Sequence, residues 1–297
     1  VIEVARELRA AGRAFALTLV VEAEGSTYRK PGSLALVAEH GRRVGVISGG
    51  CLEPGLVELA QAALAAREPR DTVFDTRDDD DLIFGSGSGC RGRMRVLALP
   101  ATPGVPSAGV EAVLDVHASR RSVRLDLATL VPGLGCSGEI TLRPPPLLLM
   151  VGAGPEARPL LCIARTLGWF AWIADHRPGL LEDGRARDAD RVIVDRPAGA
   201  LAALADEHLD AALVMTHSAE NDLAALRALA ARTVAYVGLL GPPARCRELL
   251  ARLTAEQRAS LMGRLHAPLG LKLGGDGPEA IALGVATQLQ QVFHAAG

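Results

Sequence analysis

The sequence predicts an α/β chain in two parts: a small mixed α+β domain joined by a proline-rich linker to a doubly wound parallel sheet. Three observations carry this. Short β-rich runs broken by turn residues crowd the first hundred positions. Pro144-Pro145-Pro146 is the sharpest change of texture in the 297 residues, a stiff extended segment without backbone donors. Beyond it, strand-like runs alternate with Ala- and Leu-rich helical stretches, the pattern of a parallel sheet covered on both faces. A prior of about 150 residues per domain also gives two, bounded at 1–143 and 147–297.

The elements follow in order. The first 15 residues read as a short helix, with apolar Ile2, Val4, Ala5, Leu8 and Ala11 at helical spacing before Gly12 ends the run; Phe15–Ala23 is the first strand. A polar turn through Gly25, Ser26, Arg29, Lys30 and Gly32 leads to a strand at Ser33–Glu39, and Arg43–Ser48 is expected to form the next. Glu53–Ala66 is helical, with Pro54 in the first turn where its missing N–H costs nothing. Thr72–Asp75 and Met94–Leu99 read as strands around an acidic run, Asp78–Asp81, and a glycine loop. Val110–His117 and Val123–Leu130 extend the first domain. In the second part, strands are expected at Leu147–Val151, Phe170–Ala174, Arg191–Val194, Ala211–Met215 and Thr233–Val237, with helices such as Ala200–Glu207 and Asp222–Ala231 between them.

Composition narrows the function. Lys plus Arg is 32 against 34 for Asp plus Glu, and aromatics are 3%. A balanced charge with few stacking rings disfavours nucleic-acid binding. No apolar run reaches the roughly 18 residues of a membrane span. Residues 1–20 lack the pattern of a signal peptide. The cysteines, Cys51, Cys90, Cys136, Cys162 and Cys246, are odd in number, scattered and without a C-x-x-C pair. The expectation is a cytoplasmic protein with free thiols.

Three stretches carry chemistry. Gly152-Ala153-Gly154-Pro155-Glu156-Ala157 follows an apolar strand, opens a helix, and is followed by Asp175 at the end of the next strand. This is the Rossmann dinucleotide arrangement: glycines admit a pyrophosphate to a helix N-terminus, and the acid holds a ribose hydroxyl. Ser48-Gly49-Gly50-Cys51-Leu52-Glu53 places a thiol between glycines and a helix, where free N–H groups favour a thiolate. Gly85-Ser86-Gly87-Ser88-Gly89-Cys90-Arg91 repeats the theme with a cation beside the thiol. His217 ends a strand at the edge where parallel sheets place ligands, a position that a plain loop residue fills equally well. Cys136, Cys162 and Cys246 read as structural, Cys162 on a buried helix face beside Leu160, Leu161 and Ile163.

Taken together, these pieces resemble the XdhC/CoxI family, maturation factors of molybdenum hydroxylases such as xanthine dehydrogenase. The likeness rests on Glu24-Gly25-Ser26-Thr27 through Pro31-Gly32, Gly45 through Glu53, Asp80 through Gly92, Met215 through Asp222, and His266-Ala267-Pro268-Leu269-Gly270-Leu271 with Pro278-Glu279-Ala280. Arg91 and Gly277 depart from the usual pattern. The resemblance implies a chaperone that binds molybdenum cofactor (molybdopterin), protects it while a cysteine desulfurase supplies sulfur, and delivers it to the apo molybdenum hydroxylase. The residues implied are Gly25, Ser26, Arg29 and Lys30; Ser48, Gly49, Gly50, Cys51 and Glu53; Gly87, Gly89, Cys90 and Arg91; and Gly152, Gly154, Asp175 and His217. Cys51 and Cys90 would be the soft contacts to the metal. The residues themselves leave another reading open, an NAD(P)- or FAD-dependent oxidoreductase with Cys51 and Cys90 as redox thiols. A homodimer is expected from the exposed edges that a small sheet leaves.

Overall fold

The computed structural model describes residues 1–77 and 91–294. They divide into two compact units, Val1–Pro144 and Pro145–Gly297.

The first unit begins with α1 (Ile2–Ala10), β1 (Phe15–Gly25), β2 (Leu34–Ala38), β3 (Arg43–Val44), α2 (Glu53–Ala66), β4 (Arg70–Asp75) and β5 (Gly92–Ala101). It closes with α3 (Ala108–Ser119), β6 (Val123–Asp126), α4 (Leu127–Leu130) and β7 (Glu139–Leu142). The strands pair antiparallel in the order β3-β2-β1-β5-β4. Central β1 is buried on both faces, which explains its nearly unbroken apolar run. Phe15, Leu17, Leu19 and Val21 pack with α1, α3 and the β6–β7 hairpin. Val20 packs with Leu56, Leu59 and Ala63 of α2. The strand expected over Arg43–Ser48 stops after Val44. Gly45 turns the chain out of the ladder at φ +86°, so Val46–Ser48 run towards the start of α2.

The second unit contains β8 (Leu147–Val151), α5 (Ala157–Leu167), β9 (Phe170–Asp175), a helical turn α6 (Pro178–Leu180), β10 (Arg191–Val194) and α7 (Pro197–Ala202). After these come β11 (Ala211–Val214), α8 (Ala219–Ala230), β12 (Tyr236–Leu239), α9 (Pro243–Ala251), α10 (Ala255–Leu261), β13 (Leu265–His266) and α11 (Pro278–His294). Its six strands are parallel in the order β10-β9-β8-β11-β12-β13, the doubly wound Rossmann arrangement. Leu147, Leu149 and Val151 face the side covered by α7, α8, α9 and α10. Leu148 and Met150 face α5 and α11. Two-sided burial is why these strands read as continuous apolar runs.

Two further expectations are corrected. The strand expected at Thr233–Val237 begins three residues later. Its parallel register on β11 starts at Ala211 opposite Tyr236, whose ring stacks on His266 with centroids 4.2 Å apart. Cys162 is exposed, with Sγ 3.3 Å from Asp188 Oδ2. The buried stripe of α5 is Ala157, Leu160, Leu161 and Ala164, and helical spacing turns position 162 away from it.

Candidate functional site

In the first unit, β1 and β5 run antiparallel to a last pair, Gly25 opposite Gly92. That register brings two of the sequence motifs to one end of the sheet. Ser26 N–H donates to the Arg91 carbonyl at 3.0 Å. Thr76 secures the same corner: its hydroxyl donates to the Gly92 carbonyl at 2.9 Å and accepts from Gly92 N–H at 3.2 Å. Thr76, Arg91 and Gly92 therefore meet beside Ser26. Asp78–Asp81, Gly87, Gly89 and Cys90 lie outside the described residues.

The Ser48–Glu53 turn meets this corner from the α2 side. Ser48 Oγ accepts from Gly50 N–H at 3.1 Å and Leu52 N–H at 3.2 Å, organising the turn like a helix cap. Glu53 Oε1 in turn accepts from the Ser48 hydroxyl at 3.1 Å and its N–H at 3.3 Å. Glu53 thus braces the turn from within. With the backbone held this way, Cys51 is exposed at the entrance to α2. A Cβ added at Gly49 or Gly50 would meet no atom within 4 Å, so the turn presents open backbone. Ser26, Tyr28, Ser48, Gly49 and Cys51 share the lining of a small cavity of about 30 Å³. Arg29 ties the two loops together, donating from Nε to the Val46 carbonyl at 2.9 Å while its guanidinium lies 5.6 Å from the Tyr28 ring centroid. Lys30 Nζ lies 3.3 Å from Thr27 Oγ1 at an exposed position. Arg91 is exposed as well.

The second unit treats its glycine turn differently. Gly152 has φ +117°, and a Cβ there would lie 2.4 Å from the Met215 carbonyl oxygen. A Cβ on Gly154 would lie 2.6 Å from His217 Nε2 and 2.9 Å from Glu156 Oε2. These side chains, 3.0 Å apart, cover the turn where a dinucleotide's pyrophosphate would rest. His217 adopts φ +58°, a left-handed conformation that costs a non-glycine residue energy. Asp175 is also engaged. Its carboxylate accepts from Ala153 N–H at 2.8 Å and from Arg177 N–H, Nε and Nη2 at 2.8–2.9 Å. Burial pushes its pKa up, but the Arg177 guanidinium and the two amides outweigh burial and hold it down at about 2. The oxygens that the sequence assigns to a ribose are held by the protein itself.

The structure therefore gathers Gly25, Ser26, Arg29, Ser48, Gly49, Gly50 and Cys51 at one corner of the first unit. In the second unit it gathers Gly152, Gly154, Glu156 and His217 at the ends of β8 and β11. Sequence reasoning passed over Glu156, Thr76, Arg245 and Lys272. Only Glu156 stood inside a motif, as an unspecified position; the others become neighbours through the fold. Among the described residues no group of three or more His, Cys, Asp or Glu is arranged to hold a metal ion. No described helix is long and apolar enough to cross a membrane.

The profile of the XdhC and CoxI family matches residues 8–75, and that of the XdhC Rossmann domain matches residues 148–289. The crystal structure of a protein described as a xanthine dehydrogenase from Bacillus halodurans superposes with a TM-score of 0.79 at 30% identity, covering 100% of this chain and 96% of that one. A Bacillus subtilis protein named as a probable subunit of xanthine dehydrogenase is 28% identical over 93% of this chain and 92% of its own length. The Escherichia coli protein YqeB, itself uncharacterised, is 26% identical over 94% of this chain, which spans 43% of that protein. Matches in both units and a full-length relative at 30% identity make the assignment: the chain belongs to the XdhC and CoxI family.

Proposed function

We propose that this chain is an accessory protein in the maturation of a molybdenum hydroxylase, holding the molybdenum cofactor on the first unit and passing it to the apo-enzyme. The observation that carries this reading is the exposed Cys51 thiol on a glycine turn whose backbone is braced by Ser48 and Glu53 and faces open space. The end-to-end match to a Bacillus subtilis protein named for xanthine dehydrogenase supports the hydroxylase as partner.

The donor set fits the cofactor, which when bound brings a thiophilic molybdenum centre and a phosphate. Cys51 supplies a soft ligand, and Arg29 and Lys30 supply charge-assisted donors for the anion. The backbone over Gly49 and Gly50 lets a ligand approach without displacing a side chain. Cys90, outside the described residues, is the second thiol of this reading, and a cysteine desulfurase is the partner expected to deliver sulfur while the cofactor is held. The engaged Asp175 and the covered Gly154 give no support to the alternative NAD(P)- or FAD-dependent oxidoreductase.

The test is anaerobic addition of molybdopterin-type cofactor to wild type and to the Cys51→Ser/Cys90→Ser double variant, measuring retained molybdenum and pterin after gel filtration. Retention by wild type and its loss in the variant is the expected result. Equal retention by both removes the site from these thiols, and no retention by either ends the carrier reading.

A further inference from the structure

The parallel sheet ends on β10, and that edge carries an inference that does not depend on the molybdenum reading. Among the described residues β10 pairs with β9 alone, so its other side offers unpaired N–H and C=O groups. Such an edge is a template for another strand unless proline, charge or a bulge blunts it. The middle of this strand, Val192-Ile193-Val194, has no proline and no charge, and its register on β9 is unbroken.

Val192 and Val194 are 45% and 58% exposed, against the rule for a parallel sheet covered on both faces. They share one face, and Ile193 points to the other, where it packs on the core. Residues directly opposite in an antiparallel pair have the same backbone orientation, so two copies of one strand meet only in registers centred on a residue. With Ile193 at the centre, Val192 lies opposite the second copy's Val194 and Arg191 opposite its Asp195, each pair occurring twice. Exposed valines cover one another and opposite charges meet. Both charged side chains stand at the surface: Arg191 lies over the Trp172 ring at 5.0 Å and 3.4 Å from Glu207, and Asp195 accepts only the neighbouring Arg196 N–H among printed bonds, at 2.6 Å. The other edges lack this match. On β4, a register centred on Val73 sets Asp71 against Asp75, and one centred on Thr72 sets Arg70 against Phe74. Strands β3 and β13 are two residues long.

We propose that a second copy of this chain docks on β10, antiparallel and centred on Ile193, so that two six-stranded sheets become one continuous sheet. The interface is isologous, with the same patch used by both copies. It places the homodimer on the edge of the parallel sheet instead of on the small sheet of the first unit.

Sedimentation velocity of the full chain over a wide concentration range tests this, and wild type is expected to form dimers. Val192→Lys/Val194→Lys sets like charges opposite one another in the seam and should weaken the dimer about tenfold or more. Both valines are exposed, so the fold should persist. Arg191→Glu should weaken it about tenfold, and Arg191→Glu/Asp195→Arg, which restores opposite charges across the seam, should recover most of that loss. The charge exchange decides the register even if the lysine pair fails to fold. A wild type that stays monomeric overturns the proposal. So does a dimer that survives the lysine pair, or one that the charge exchange does not restore. None of these readouts involves molybdenum, so they stand apart from the test of Cys51.

Discussion

Both units contain a glycine turn leading into a helix, yet the two turns have opposite surroundings. At Gly49 and Gly50 an added Cβ would meet nothing within 4 Å, while at Gly152 and Gly154 it would strike Met215 and His217 at 2.4 and 2.6 Å. The same local pattern thus occurs in two settings, an open face in one case and close packing of the chain on itself in the other. A glycine-rich turn in a sequence announces close approach. It does not say whether the approaching group is a ligand or the protein.

The sharpest way to break this comparison is Gly152→Ala. The new methyl would combine a φ of +117° with overlap of a backbone carbonyl that has no flexible end to move. Strain and overpacking together are expected to cost about 3 kcal/mol or more. Urea denaturation that left the midpoint near wild type would show that the turn relaxes freely, and the contrast between the units would fail.

Asp175 shows the same close packing, because its carboxylate is engaged by Ala153 N–H and the Arg177 guanidinium. Its folded pKa of about 2 lies below the ordinary value of 3.8. The stabilisation is therefore fully present above about pH 4, diminishes as pH falls through the window between the two values, and is gone below about 2. Its size is on the order of 2 kcal/mol. Asp175→Asn should be less stable than wild type at pH 6, and the gap should close as the pH falls from 4 towards 2. A gap independent of pH would assign the loss to packing.

At His217 strain and contact oppose each other. Replacement by glycine relieves the left-handed conformation, worth about 1 kcal/mol, and removes a part-exposed contact to Glu156 of similar size. His217→Gly should sit within about 1 kcal/mol of wild type. His217→Ala keeps the strain, loses the contact and should be about 1 kcal/mol worse than glycine. Equal stability of the two variants would mean that the backbone is not strained there.

The parallel sheet was legible because two-sided burial writes itself as unbroken apolar runs such as Leu147–Val151, and because glycines and helical periodicity punctuate them. Less legible was β13, only Leu265–His266, too short to show a period and held by Tyr236 stacking on His266. The early end of β3 depended on Gly45, whose turn out of the ladder a run of apolar neighbours concealed. For the candidate sites, Ser48, Cys51 and His217 could be singled out by type and position. Arg245 could not, since its importance comes from a buried Asp222 that lies 23 residues away in sequence. At Glu53 and Asp175 the local sequence shows an acid beside a glycine turn but hides the internal donors that engage it.

The smallest expected change in stability carries the most functional weight. Gly49 lacks the positive φ of Gly50, so alanine can adopt its backbone, and the methyl would point into open space. Gly49→Ala should therefore change stability by no more than about 0.5 kcal/mol. If that space belongs to a ligand, the same methyl should lower retention of molybdenum cofactor several-fold while melting temperature and elution volume stay at wild-type values. Denaturation and cofactor loading on one preparation separate the two effects. Full retention would remove the ligand from this face and leave the Ser48–Glu53 turn as a packing device like its counterpart at Gly152, in which case openness at a glycine turn would not mark a binding surface in this fold.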